Sequence, residues 1–275
     1  MLPWTRIVFV RPTAAVLMCL VLTPAGFAQD DAAVKSTPEV GTEPGDTPLE
    51  PERSFWTDWT GGVEFGLNGT EGNTNRVAFR AGFNLDRKTD KTETSLLLTY
   101  AYAQDNRVES QNQGLLFGRN DWLFSDSKWR WFVQAGAEYD QFQAWLWRFS
   151  GSTGPGYDFI RTDKTVLTGR AGLGFSQTVG GTDSDEFRPE GLLGLNWEQQ
   201  LTERQKLTAF VSYLPAFNDF PARYRANGGA NWEIVMDPET GLTLKIGVLD
   251  RYDSQPGAGS KRNQLEYFAL LVWKF

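Results

Sequence analysis

The 275-residue chain contains no histidine. Histidine is the side chain whose unperturbed pKa lies nearest neutrality, which suits it to general-base work. Without it a Ser-His-Asp arrangement and a histidine-bearing zinc centre are excluded. Cysteine is almost as scarce, the single residue being Cys19. Long apolar runs are missing too. No segment supplies the roughly 20 consecutive apolar residues that a spanning helix requires. A basic excess is also absent, since the formal net charge is −7. A nucleic-acid binder would show a basic face, so no nucleic-acid partner is expected.

What is present begins with an export pattern. Arg6 and Arg11 precede the apolar run Thr13–Leu22, and small residues follow up to Ala28. This is the layout of a secretory signal covering residues 1–28, with cleavage expected after Ala28. Cys19 falls inside it, so the mature chain should hold no thiol and no disulfide. Removing Arg6 and Arg11 leaves 25 basic against 34 acidic residues. Residues 29–55 come next, carrying Pro38, Pro44, Pro48 and Pro51 among acidic side chains. So little apolar surface cannot offset the entropy of ordering, and a disordered periplasmic arm is expected there.

From residue 56 to residue 275 the pattern has a period of two. Trp59, Gly61, Val63, Phe65 and Leu67 interleave with Thr60, Gly62, Glu64, Gly66 and Asn68. Near the end Leu265, Tyr267, Ala269, Leu271, Trp273 and Phe275 are all apolar. Alternate side chains of a strand point to opposite faces. An apolar face opposed by Glu, Asn, Arg and Gly describes a transmembrane β-barrel. Twelve antiparallel strands are predicted, at 59–69, 75–87, 91–104, 110–123, 129–140, 147–159, 165–178, 188–200, 205–214, 222–235, 242–252 and 264–275. Short, charged connections follow the even-numbered strands, such as Lys88–Asp90 and Thr202–Arg204. Those after strands 5, 7, 9 and 11 are mostly longer, such as Val179–Phe187 and Asp253–Asn263. Outer-membrane barrels place short turns on the periplasmic side and longer loops outside. The expected location is therefore the outer membrane, with its lipids as the surrounding partner and a monomer as the default state.

Several motifs resemble a known family. Gly66-Leu-Asn-Gly-Thr-Glu-Gly-Asn-Thr74 is similar to the opening strand of the YdiY-like family. Gly136-Ala-Glu-Tyr-Asp140, Arg148, Gly154-Pro-Gly-Tyr157, Asp253-Ser-Gln-Pro256 and the terminal Phe275 are similar to its later motifs. These proteins are called salt-induced outer-membrane proteins, a domain family of unknown function. The resemblance implies an outer-membrane barrel and brings no substrate or catalytic residue. Recognition by the barrel-assembly machinery is expected through Trp273 and Phe275. Leu270 stands where such signals favour glycine.

Parity points Glu64, Arg76, Arg80, Asp86, Glu138, Asp140, Arg170, Arg223, Arg225, Lys245 and Arg251 into the lumen. Two readings stand side by side. One is a charged constriction that selects solutes, with Arg80, Arg170 and Arg225 at its narrowest point. The other is a salt-bridged plug that holds the wall rigid. Inward glycines (Gly62, Gly66, Gly82, Gly136, Gly172, Gly174, Gly229 and Gly247) favour a hollow, although they also leave room for large neighbours. Acid-pair chemistry through Glu64, Glu138 or Asp140 is weaker than the reading of these carboxylates as partners of lumen arginines. No enzyme, cofactor or metal is expected. Trp145 and Trp147 read as interfacial anchors, and Asp183, Asp185 and Glu186 as a solvated loop. The functional expectation is passage of small polar solutes or ions, the alternative a closed barrel acting as an envelope structural or interaction element.

Overall fold

The computed structural model describes residues 58–71, 75–181, 185–257 and 260–275. The expected export signal and acidic arm lie outside these described residues, as does Asp183. In chain order the strands are β1 Trp59–Thr70, β2 Arg76–Lys88, β3 Thr92–Asp105, β4 Val108–Leu123, β5 Trp129–Asp140 and β6 Trp147–Arg161. They continue as β7 Thr165–Val179, β8 Glu186–Thr202, β9 Gln205–Pro215, β10 Tyr224–Asp237, β11 Leu242–Asp253 and β12 Asn263–Lys274. Each pairs antiparallel with its chain neighbours, and β1 meets β12 to close a barrel. The twelve-strand expectation holds, and no strand end moves by more than two residues.

Local chemistry sets the connections. Asn106 and Arg107 join β3 to β4 with φ values of 49° and 68°. Two positive φ values in a two-residue loop make the primed turn whose twist matches a hairpin. At the opposite end, the Asp237 carboxylate accepts from the Glu239 amide at 3.0 Å and the Thr240 hydroxyl at 2.7 Å. The connections after β2, β4, β6, β8 and β10 share this end, the turn end; its opposite is the loop end.

The outward face is apolar. Val63, Phe65, Leu98, Leu173, Leu193 and Val211 are all exposed. Aromatic contacts gather in two bands along it. Phe79 with Tyr100 and Tyr102, Tyr139 with Trp147, and Tyr213 with Tyr224 lie toward the loop end. Trp129 with Tyr157, and Phe83 with Phe275, lie toward the turn end. The seam between β1 and β12 registers four residue pairs, Gly62 with Lys274 through Phe65 with Leu271. Phe275 extends it, exchanging backbone hydrogen bonds with Gly61 at 2.9 and 3.0 Å.

The inward glycines do not open a hollow. They are slots filled by neighbouring side chains. A Cβ on Gly172 would stand 2.8 Å from the Phe132 ring, and one on Gly229 would stand 2.7 Å from Phe210. Gly247 makes room for Phe268, Gly82 for Glu64, and Gly66 for Leu270. Phe132, Leu192, Leu270 and Val272 are buried inside the barrel. The interior is therefore packed in part like a small barrel, in which side chains fill the bore. Leu270, the departure from the assembly pattern, is a lumen-filling residue.

These slots make a direct expectation. Gly172→Leu forces atoms into the Phe132 ring and the Thr153 backbone. Overpacking of this kind costs about 1–3 kcal/mol. Denaturant unfolding followed by tryptophan fluorescence should show that loss. Gly69→Leu, whose Cβ would meet only the Arg76 carbonyl at 3.4 Å, should leave the midpoint unchanged.

Candidate functional site

The lumen charges gather into separate knots. Each takes its members from several strands, because parity turns the same face of every strand inward. At the turn end Arg170 of β7 grips Asp121 of β4 with Nε and Nη2, both at 3.0 Å. Its Nη1 donates to Asn196 at 2.7 Å. Arg130 of β5 donates to Asp158 at 2.6 Å and to Glu93 at 2.7 Å. Arg161 completes the knot by donating to Glu93 at 2.6 Å. Asp121, Arg130 and Asp158 are each 1% exposed. Charges so deep persist only when paired and hydrogen-bonded.

A second knot centres on Glu266 of β12. Arg80 of β2 donates to it at 2.8 Å and Gln113 of β4 at 2.7 Å. Arg251 of β11 also donates to it. Gln113 comes from a wall separated from β12 by β3, β2 and β1, so this bond crosses the lumen. The Arg80 guanidinium lies 4.6 Å from the Phe268 ring centre, a cation–π contact. Nearby, Lys245 donates to the buried Glu64 at 2.7 Å.

The third knot is at the loop end. Arg225 donates to Glu190 at 2.6 Å. Arg223 grips Glu186 at 2.7 and 2.8 Å, and Arg188 adds a bond to the same carboxylate at 2.9 Å. Arg148 of β6 faces Asp253 of β11 across the lumen at 3.7 Å and Glu138 at 4.0 Å.

Two cavities occupy the lumen ends. The loop-end cavity measures about 320 Å³, with Arg148, Arg188, Arg223, Glu186 and Asp253 among its walls. The turn-end cavity measures about 230 Å³ and includes Glu93, Arg119, Arg130, Arg161, Arg170 and Phe210. Between the two ends lie the Glu266 knot and the buried side chains of Phe132, Leu192 and Leu270.

Of the residues assigned inward by parity, Glu64, Arg80, Glu138, Arg170, Arg223, Arg225, Lys245 and Arg251 all take part in these knots. Arg80, Arg170 and Arg225 do not share one ring. They sit in three different knots, because β2, β7 and β10 present them at different heights. Arg76 lies at the loop-end rim beside Asp105 at 3.5 Å and is half exposed. Asp86 is half-buried toward the turn end. Asp140 is buried, and its carboxylate accepts from the Phe142 amide at 2.9 Å, a turn contact outside the three knots. Trp147 does lie on the outer surface, stacked with Phe149. Trp145 turns instead onto Arg148, with 4.2 Å between ring centre and guanidinium carbon.

Parity along the sequence did not single out Glu93, Gln113, Asp121, Arg130, Asp158, Arg188, Glu190 or Glu266. For Glu266 and Glu190 the signal was legible, since each alternates with outward residues, Leu265 and Tyr267 or Pro189 and Gly191. Arg161 had no such signal. A register shift between Asp158 and Ile160 resets the parity of β6. Among the described residues no cluster of acidic side chains could hold a metal ion.

The model of the family described as "Protein of unknown function, DUF481" matches residues 63–275. No curated protein matches the chain in sequence. Solved structures with a similar barrel include the KdgM porin in complex with disordered oligogalacturonate, at TM-score 0.43 and 9% identity, covering 79% of this chain and 99% of that one. An outer membrane channel from Pseudomonas putida F1 gives TM-score 0.48 and 9% identity, over 86% of this chain and 100% of that one. The translocator domain of the autotransporter NalP from Neisseria meningitidis gives 0.39 and 13%, over 79% and 86%. These are likenesses of barrel architecture.

The turn-end knot makes the second prediction. Asp121→Ala removes the buried carboxylate that Arg170 grips at 3.0 Å and that Arg119 meets at 3.1 Å. Breaking one side of a buried pair costs about 3–5 kcal/mol. The double variant Asp121→Ala/Arg170→Ala should lose less than the sum of the two single changes, and an unfolding double-mutant cycle measures the difference.

Proposed function

This chain belongs to the DUF481 family of proteins of unknown function, and we propose that it is an outer-membrane barrel giving small polar solutes or ions a narrow, charge-lined passage. Membrane placement is supported by the apolar outward band between two aromatic belts. In that orientation the turn end is periplasmic and the loop end external. Residues 1–28 serve as the export signal, and residues 29–55 as an acidic periplasmic arm. Lipids surround the wall, the barrel-assembly machinery recognises Trp273 and Phe275, and the barrel works as a monomer. The salt-response link rests on the resemblance to the salt-induced family alone.

The observation that carries the passage is the pair of polar cavities at opposite ends of one lumen, with ionised side chains between them. Glu266 is the residue on which two walls converge, and with Arg80 and Arg251 around it the knot carries one net positive charge. A second reading, a closed structural barrel, is favoured by the tight pairing across the lumen at Gln113 and Glu266.

Planar-bilayer recording of the refolded chain starting at Gln29 separates the two readings. A passage yields small, discrete current steps. Glu266→Gln removes a negative charge from the narrowest point and should move ion preference toward anions by about twofold or more, as charge rings do in pores. Silence from wild type and variant alike, in protein shown to have inserted, contradicts the passage and leaves the closed barrel.

A further inference from the structure

Arg148 differs from the other buried lumen arginines of the loop half. Arg80, Arg188, Arg223, Arg225 and Arg251 each donate at least one short hydrogen bond to a carboxylate. Arg148 donates none to any described residue. Its two carboxylate neighbours stand off at 3.7 and 4.0 Å. Its Nε is buried without a partner, as are those of Arg80, Arg188, Arg223, Arg225 and Arg251, so the difference lies in its terminal nitrogens. Only 11% of the side chain is exposed. A guanidinium carries five donors in a planar fork, and leaving them unmade in a desolvated place is costly. Something outside the present contacts can satisfy them.

The surroundings specify what. The Arg148 guanidinium carbon lies over the Trp145 ring, 4.2 Å from its centre, a cation–π contact that restrains the group while its donors remain for planar acceptors. Arg148 and Trp145 both line the loop-end cavity of about 320 Å³, at the lower end of the range of small-molecule sites. Arg188 and Arg223 also line it but are occupied with Glu186. Counting Glu186 and Asp253 against the three arginines, the lining carries one net positive charge. A ligand carboxylate supplies two in-plane acceptors and matches the fork, as carboxylates do with arginine elsewhere. Gln143, Thr178 and Gln255 add neutral donors and acceptors to the wall. These suit hydroxyl groups and do not suit a hydrocarbon tail.

We propose that the loop-end cavity is a binding site for a small carboxylated, hydroxylated solute of the sugar-acid class, with the Arg148 guanidinium as its anchor. The external placement of the site rests on the membrane reading above. Binding itself does not require that the barrel conduct. Asp253 and Glu138 lie at long range from Arg148, and the ligand carboxylate replaces that pairing with direct hydrogen bonds. Trp145, in contact with the anchor, reports the event.

The test uses the detergent-refolded chain from Gln29, titrated with sodium glucuronate, glucose and sodium acetate while tryptophan fluorescence and heat are recorded. Glucuronate should bind at least about tenfold more tightly than either control, since it alone joins the carboxylate to the hydroxyls, and one such factor corresponds to 1.4 kcal/mol. Arg148→Gln should weaken glucuronate binding about tenfold or more and leave glucose unchanged. Should that variant fail to fold, Trp145→Ala serves instead, expected to weaken glucuronate by releasing the anchor. Equal binding of glucuronate and glucose, no binding of glucuronate to wild type, or undiminished binding in a folded variant each overturns the proposal. A barrel that binds glucuronate yet stays silent in the bilayer upholds this site and contradicts only the passage.

Discussion

Pairing of ionised side chains across the lumen is the constraint on which the rest of this structure depends. A closed sheet turns one face outward, and here that face is apolar with aromatic belts at both ends. Every charge on the strands must then go to the rim or inward. Charges confined inside a low-dielectric wall cannot remain single. Twelve strands give an interior that arginine and glutamate side chains reach across, as Gln113 reaches Glu266 and Arg148 faces Asp253. The width of the barrel and the composition of its inner face therefore fit each other.

That constraint explains the division of the lumen. The turn-end knot is closely bonded. Asp121 takes two bonds from Arg170, and Arg130 is shared between Asp158 and Glu93. Asp121, Arg130, Asp158 and Arg170 have little exposure, which suits a fixed brace, while Glu93 and Arg161 reach toward the rim. The loop end is looser: Arg148 stands off from its partners beside the larger cavity. Function is expected where pairing is incomplete, since a fully bonded guanidinium has nothing to offer a solute.

Much of this was legible in the sequence because a period of two is a strong signal. Alternation around Val63 and Phe65, and again from Leu265 to Phe275, placed the first and last strands and the inward Glu64. The rest was hidden for particular reasons. Partner choice depends on height in the barrel, which follows from register, and so the expectation of Arg80, Arg170 and Arg225 together at a constriction does not foresee their three separate knots. The shift between Asp158 and Ile160 in β6 breaks parity, leaving Phe159 and Ile160 both exposed while Arg161 pairs with Glu93. The glycines were ambiguous, because a missing side chain looks the same whether the space is empty or filled by Phe268. Trp145 looked like any interfacial tryptophan until its neighbour Arg148 was known.

The central claim, that walls several strands apart meet inside the lumen, is open to a direct chemical test. The chain from Gln29 onward contains no cysteine, so the pair Gln113→Cys and Glu266→Cys can be introduced on a clean background. A short bifunctional thiol-reactive reagent such as a bis-maleimide, applied to the membrane-inserted protein, should then join the two strands within one chain, shifting its unfolded mobility on a gel. If both thiols react with a monofunctional reagent but no intrachain link forms, the walls stand apart. The lumen is then an open bore, and pairing across it does not hold the barrel together.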